Sequence, residues 1–490
     1  MRQTIVIFVY IKKILSSEFD MKLDLEREFA ENTTLHGIAR IFQSAGVILK
    51  LIWSVIFLTA FGLFVWQFSE RVTAYLRFDY NTLVQVEHRS KLTFPAVTIC
   101  SLNRFYSSRI AAEYQTQLDK VFGFADTLNY YYAYSSYSEN QPTESWEDFN
   151  NDFDFELFGE QSGFRLNDSL LRCDWKGKKD SCSADNFTAI FIPDYGVCYQ
   201  FNTDDKDENR LRQTLPGAGN GLSILLDIKQ EDYTETFKQG HHEAGLKFVV
   251  HDWHDLALVE TLGLAIPPGF HTYAAVRKKK YEELPKPWGN CKSVKDGYNK
   301  KVCLSDCRLD HIVRSCNCRP LGYTGNTKIC TPDQQANCVA KALQEYRSSG
   351  ISDECDCPTP CTEVVFTSSL SMTSFPSDKL AEEYQKEYAT LKDVVEGNSS
   401  FSIRDDLDLR KNLVYLDVYF DELSETRFKQ VEAMSWSALL SDLGGQMGLF
   451  LGVSAITAAE VLEYLGRRTY RLFKGKRSND NRVIELNQSK

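Results

Sequence analysis

Three carboxylates and a row of glycines, set in an apolar stretch near the C-terminus, are the residues best suited to chemistry. That chemistry is the handling of a cation. The stretch runs from Ser435 to Leu465 and is long enough to cross a bilayer, which takes roughly 20 residues. One side of it suits lipid poorly. Asp442, Glu460 and Glu463 would each cost about 2–3 kcal/mol or more in hydrocarbon, so they must face protein or water. Gly444, Gly448 and Gly452 recur at every fourth residue, and Gly445 and Gly452 stand two turns apart. A stripe without side chains lets backbones approach one another, or an ion, closely. Small residues on one face with carboxylates near both ends read as pore lining. The alternative is a single anchor helix that dimerises through its small residues, but an anchor has no use for buried carboxylates.

The elements that position this stretch follow from hydropathy and cysteine usage. Leu51 to Phe68 is an uncharged aliphatic and aromatic run, long enough for a first span and apolar on every face, unlike most soluble helices. Two spans place both termini on one side. Arg467, Arg468, Arg471, Lys474, Lys476 and Arg477 follow the second span, and such a basic cluster marks the cytoplasmic side. The middle is then extracellular. Its 14 cysteines agree: Cys100 stands first, ten run from Cys173 to Cys338, and Cys355, Cys357 and Cys361 close the set. Cys316-Asn-Cys318 and Cys355-Asp-Cys357 are spaced by one residue, unlike the pairs that hold zinc. Disulfides in an oxidising compartment are the better reading. Asn167, Asn186 and Asn398 open glycosylation sequons in the same region.

The chain has 490 residues and a net charge of −11, with no basic stripe to suggest nucleic acid. Residues 1–20 hold a short apolar run, but neither a strong basic start nor a cleavage site, so they are not read as a signal peptide. Translation from Met1 or from Met21 fits equally. Within the middle, Leu92–Cys100, Leu222–Ile228, Leu246–Val250 and Leu413–Phe420 read as strands, the last with clear alternation. Residues 124–160 read as a solvated insertion, and Asp333–Ser348 and Asp378–Lys392 as helices, the former opened by Thr331 and Pro332. The organisation expected is a cytoplasmic segment 1–45, a span 46–70, a disulfide-rich α+β extracellular domain 71–432, a span 433–465 and a cytoplasmic tail 466–490.

Five segments in order now carry a resemblance. Thr34-Leu-His-Gly-Ile-Ala-Arg-Ile-Phe42 resembles the cytoplasmic His-Gly gating motif of the degenerin, epithelial sodium channel and acid-sensing ion channel family. Leu92 to Asn103 resembles its signature after the first helix, Gly219-Asn-Gly-Leu222 its palm, Leu284 to Cys291 its thumb base, and Gly444 to Ser454 its pore. The likeness covers Thr34 to Leu465 and is greatest for the acid-sensing branch. It implies a trimer, homomeric or mixed with related subunits, each subunit a wrist, palm, thumb, finger, knuckle and β-ball over two helices. It implies a plasma-membrane, amiloride-sensitive channel for Na+ that needs no cofactor. Gly452, Val453 and Ser454 match the Gly-x-Ser selectivity filter, where carbonyls from several subunits can replace part of an ion's hydration shell. Asp442, Glu460 and Glu463 would concentrate cations at the mouths. Gly445, Gly448 and Ala438 would line the pore, Ala438 at the degenerin position, and His36 and Gly37 would bias gating.

The same resemblance implies the cysteine pairing, which spacing alone leaves open: Cys100–Cys198, Cys173–Cys182, Cys291–Cys361, Cys303–Cys357, Cys307–Cys355, Cys316–Cys338 and Cys318–Cys330. It implies a stapled thumb acting as a lever through Trp288 on the turn near Phe78. The stimulus is less legible. Glu231 and Asp232 match half of the family's proton-sensing carboxylates, but the thumb positions opposite are Ala340 and Gln344. The wrist histidine position falls on Asp79 or Tyr80, and the palm lysine on Leu215. Without a facing carboxylate, the repulsion that raises a pKa is lost. Protons acting through His88, His241, His242, His251, His254 or His271, or a peptide ligand, are the options. No nucleophile–base pair or metal motif points to an enzyme. A lysine-rich nucleotide pocket, as in an ATP-gated channel, has only Lys278-Lys279-Lys280 to build on. A non-conducting subunit that acts in mixed trimers is the other alternative.

Overall fold

The computed structural model describes residues 26, 28–111, 155–192, 195–204, 206, 208–234, 241–253, 255–293, 298–320, 323, 325–331, 334, 338–348, 355–384, 386 and 409–470. Asn398, His254 and most of the expected insertion at 124–160 lie outside them. The described residues form two compact units. Residues up to Asn81, with those from Val431 onward, make the first, and Thr82–Gln430 the second.

In the second unit the strands are β1 (Tyr80–His88, which begins in the first unit), β2 (Leu92–Thr93), β3 (Ala96–Ser101), β4 (Leu170–Trp175), β5 (Phe187–Ile192), β6 (Gly196–Phe201) and β7 (Arg212–Gln213). They continue with β8 (Leu222–Asp227), β9 (Leu246–His251), β10 (Leu264–Ile266), β11 (Phe270–Glu282), β12 (Thr362–Ser374) and β13 (Leu413–Glu432). One sheet runs β12-β11-β13-β8-β4, with β1 also on β13. A second runs β10-β9-β3-β6-β5, and β2 pairs with β7. The expected strand Leu92–Cys100 is split in two, because Pro95 has no N–H to give a ladder. Strand β13 extends far past the alternating run that announced it.

Alternation fills the core. Val414, Leu416, Val418 and Phe420 point one way from β13, with Leu222, Ile224 and Leu226 of β8, to meet Val97 and Ile99 of β3, all fully buried. Phe94 sits among them, its ring edge-on to Trp175 at 4.9 Å and to Phe420 at 5.9 Å.

A smaller, stapled region lies between β11 and β12. Helix α1 (Lys300–Cys316) starts on Asn299, whose Oδ1 accepts from Lys301 N at 2.7 Å, and ends at left-handed Asn317. It packs on α2 (Ala340–Ser348) through Ile312, Val339, Ala342 and Leu343. So small a core needs covalent help. Five of the seven disulfides supply it: Cys291–Cys361, Cys303–Cys357, Cys307–Cys355, Cys316–Cys338 and Cys318–Cys330. The others are Cys100–Cys198, joining register partners on β3 and β6, and Cys173–Cys182.

The first unit is helical. Val47–Leu76 is one helix with a mean hydropathy of 2.3 over its most apolar window and none of that window buried. The stretch expected as the second span, 433–465, carries two helices, Trp436–Leu451 and Ala455–Tyr470, bent by 76°.

Candidate functional site

The break falls at Gly452-Val453-Ser454, and local chemistry makes it. Gly452 is left-handed, at φ +65°, where glycine costs nothing. Its N–H donates to Gly448 O at 3.0 Å, and Val453 N–H reaches back to Met447 O at 3.2 Å. The first of these is the single bond of an αL helix ending. The next helix starts at once. Ser454 Oγ accepts from Thr457 N at 3.3 Å, and Thr457 Oγ1 accepts from Ser454 N at 3.1 Å, a reciprocal cap. One glycine and one serine, two residues apart, therefore end one helix and begin another.

The N-terminal segment holds this break from the side. His36 N–H donates to Leu451 O at 3.0 Å, a carbonyl freed where the helix ends. A Cβ on Gly452 would clash with Cγ, Nδ1 and Cε1 of the His36 ring. Gly37, at φ +92°, packs its α-carbon toward Phe57, and the short helix Ile38–Gln43 follows. Thr34 N–H and Oγ1 both donate to Glu460 Oε2, at 3.1 and 3.2 Å, with Thr33 Oγ1 at 3.4 Å. Phe29 stacks on Tyr464 at 4.5 Å.

The three carboxylates each have partners. Glu460 accepts from the threonines. Asp442 faces Arg71 at 3.7 Å, with both side chains about half exposed. Glu463 pairs with Arg467 one turn on, at 2.5 Å. Ser435 caps the Trp436 helix through Ala438 N at 3.2 Å, so Ala438 sits in its first turn, exposed. Cβ atoms on Gly444 or Gly445 would meet nothing within 4 Å, and one on Gly448 only Val453 O at 3.9 Å. The threonine anchors were not among the expected site residues; nothing local in the sequence ties them to Glu460.

Phe78 lies in the first unit, after the Val47–Leu76 helix, at φ +53°. A bulky side chain in that region is strained. Trp288 is half-buried in the second unit. Asn167 and Asn186 are exposed.

The expected proton-sensing carboxylates are tied down. Asp232 is desolvated, which favours protonation. Bonds from Ser107 Oγ (2.6 Å), Ser108 Oγ (2.5 Å) and Ser108 N (2.8 Å) outweigh this and hold its pKa below the usual range. Glu231 accepts from Asn412 at 3.3 Å. Asp417 differs: burial pushes its pKa up, against bonds from Gly219 N and Ser223 Oγ at 2.8 and 2.9 Å.

Among the candidate histidines, His251 is buried and His271 half-buried. His251 is buried between Thr98 Oγ1 and Asp252 O, at 2.8 Å each, and burial depresses its pKa. His271 stacks on Tyr415 at 3.8 Å and Tyr273 at 4.0 Å, its Nε2 buried without a hydrogen-bond partner, and burial lowers its pKa to about 4. Against an unfolded value of 6.5, the fold prefers the neutral ring. Stability is therefore complete above pH 6.5 and is lost as pH falls through 4. The thermal midpoint should drop across that window by the equivalent of roughly 1–2 kcal/mol, after allowance for solvent screening at this half-buried ring. His271→Phe should flatten the drop, as read by thermal unfolding at stepped pH.

An apolar helix, a second one broken by a glycine–serine motif, and a disulfide-stapled α+β unit between them define a membrane protein with a large domain made in an oxidising compartment. Residues 29–464 match the amiloride-sensitive sodium channel family, and the chain belongs to it. It is 32% identical over 472 residues to human acid-sensing ion channel 2, covering 91% of this chain and 86% of that protein. It is 30% identical to chicken acid-sensing ion channel 1 over 479 residues, 91% and 86% of the two chains. Mouse bile acid-sensitive ion channel is 30% identical over 473 residues, 94% and 90%. The solved structure of a proton-activated chloride channel overlays with a TM-score of only 0.30 at 6% identity, covering 85% of this chain and 97% of that one.

Proposed function

We propose that this chain forms a trimeric, voltage-independent, sodium-preferring cation channel of the plasma membrane, opened by an extracellular stimulus and blocked by amiloride. Both termini lie in the cytoplasm, and residues 71–432 form the extracellular domain. The observation that carries the reading is the helix break at Gly452–Ser454 in a member of a sodium channel family. At such a break, backbone groups leave the helical ladder and become available to an ion. The open glycine face at Gly444, Gly445 and Gly448 suits close approach of neighbouring subunits around a pore. Asp442, Glu460 and Glu463 would stand near it, and their ion pairs and hydrogen bonds also fix the helices.

The stimulus is a proton or a peptide. The pKa of Asp232 is held below the usual carboxylate range, so proton sensing would rest on other groups; His251, His271 and Asp417 carry shifts of their own. Trp288 would carry motion of the stapled region toward Phe78. The chain expressed alone, with sodium outside and pH stepped from neutral to strongly acidic, tests this. An amiloride-sensitive inward current on acidification supports proton gating. Silence at every pH, relieved by Ala438→Phe, supports a working pore that awaits a peptide; the large side chain in the first turn should raise resting current at least tenfold. Silence even then sinks the homomeric channel and favours a modulatory subunit of mixed trimers.

A further inference from the structure

In a chain of net charge −11, one cavity of the second unit is positive. Its volume is about 600 Å³, and among the described residues Arg89, Lys91, Arg212, Lys278, Lys280 and Arg427 line it with one carboxylate, Glu425. The cations come from four chain regions. Arg89 and Lys91 come from the β1–β2 connection. Arg212 on β7 is held opposite Thr93 by the short β2–β7 ladder. Lys278 and Lys280 share one face of β11, and Glu425 and Arg427 share one face of β13.

The register is telling. The parallel pairing of β11 and β13 jumps at Val276/Lys278, and beyond it Lys278 stands beside Glu425 but Lys280 beside Arg427. The first pair is an ion pair at 2.7 Å. The second sets two cations side by side, an arrangement that costs stability. Glu282 meets Lys280 at 2.9 Å, and Glu87 meets Arg427 at 3.1 Å and Arg89 at 2.8 Å. Among the described residues, Glu87, Glu282 and Glu425 thus meet four cations, Arg89, Lys278, Lys280 and Arg427, while Lys91 is exposed at the edge of the cavity. Arg427 Nε is buried without a hydrogen-bond partner, with Glu282 3.6 Å away.

We infer that this cavity binds a small organic oxyanion, a carboxylate foremost. Guanidinium forks and ammonium groups suit a carboxylate, and Leu92 and Val364 give its body an apolar wall. The volume falls in the range of small-molecule sites. A bound anion would add to Glu282 in offsetting the Lys280–Arg427 repulsion and would bridge β11 to β13.

The test is calorimetric titration of the purified full-length chain with benzoate and, separately, with sulfate, at constant ionic strength. Benzoate should bind saturably. Lys91→Glu, at an exposed position on the mouth, should keep the wild-type unfolding midpoint and weaken benzoate about tenfold or more, the equivalent of one lost charge-assisted bond. Arg427→Gln should weaken it further, but sits in the ion-pair network, so Lys91→Glu decides. Equal affinity in wild type and Lys91→Glu overturns the inference, as does absence of saturable binding for either anion. Saturable sulfate with no benzoate binding also overturns it, leaving a site for inorganic ions.

Discussion

Replacing Gly452 with alanine is expected to abolish current, and His36→Ala in the same chain to restore part of it. Two penalties meet at this position. Alanine at φ +65° pays about 1 kcal/mol over glycine, and its methyl group collides with the His36 imidazole. The collision is removed by shortening His36; the backbone penalty is not. Together the two effects should cost Gly452→Ala about 2–3 kcal/mol of local stability. The double variant should fall short of the summed single effects by about 1 kcal/mol or more, the signature of residues in contact. Whole-cell current normalised to surface-labelled protein, with thermal unfolding of the purified chain, gives both quantities. Strict additivity would refute the contact. Ser454→Ala offers a milder companion, because it removes one half of the reciprocal cap and should cost about 1 kcal/mol.

Loss of the stapled region's disulfides should be the largest stability effect, and strongly non-additive. Cys291–Cys361, Cys303–Cys357 and Cys307–Cys355 span 70, 54 and 48 residues and are nested as rungs of one ladder. A lone bond across a loop of about 50–70 residues removes roughly 4 kcal/mol of unfolded-state entropy. With two rungs left in place the third closes only a short remaining loop, so removing one pair by serine substitution should cost about 2–3 kcal/mol. Removing all three reopens the long loop and should exceed the sum of the single losses. The small core of Ile312, Val339, Ala342 and Leu343 cannot offset it. Protease sensitivity at 300–350, compared with that of the β-sheets, would show the stapled region opening first.

Much of this molecule is legible from local rules. The apolar helix is written in its hydropathy, the buried face of β13 in the alternation Val414-x-Leu416-x-Val418-x-Phe420, and the oxidising compartment in cysteine density. Even the helix break lies within reach of the sequence, since a glycine that ends a helix and a serine that starts one act within a single turn. Hydropathy windows average over the break and return a single apolar stretch. Resemblance supplied the family, on motifs that local physics could not have ranked. What only the tertiary structure decided are arrangements between distant segments. Cysteine spacing leaves the connectivity open, and the fold chooses by bringing sulfurs together. Thr34 meets Glu460 across 426 residues, and the basic cavity gathers cations from four regions of which only Lys278-Lys279-Lys280 stands out locally. The physical reason is the same in each case. Caps, turns and alternation are set by neighbours a few residues away, whereas such contacts form only after long loops have closed, and closure depends on the whole core rather than on any motif within it.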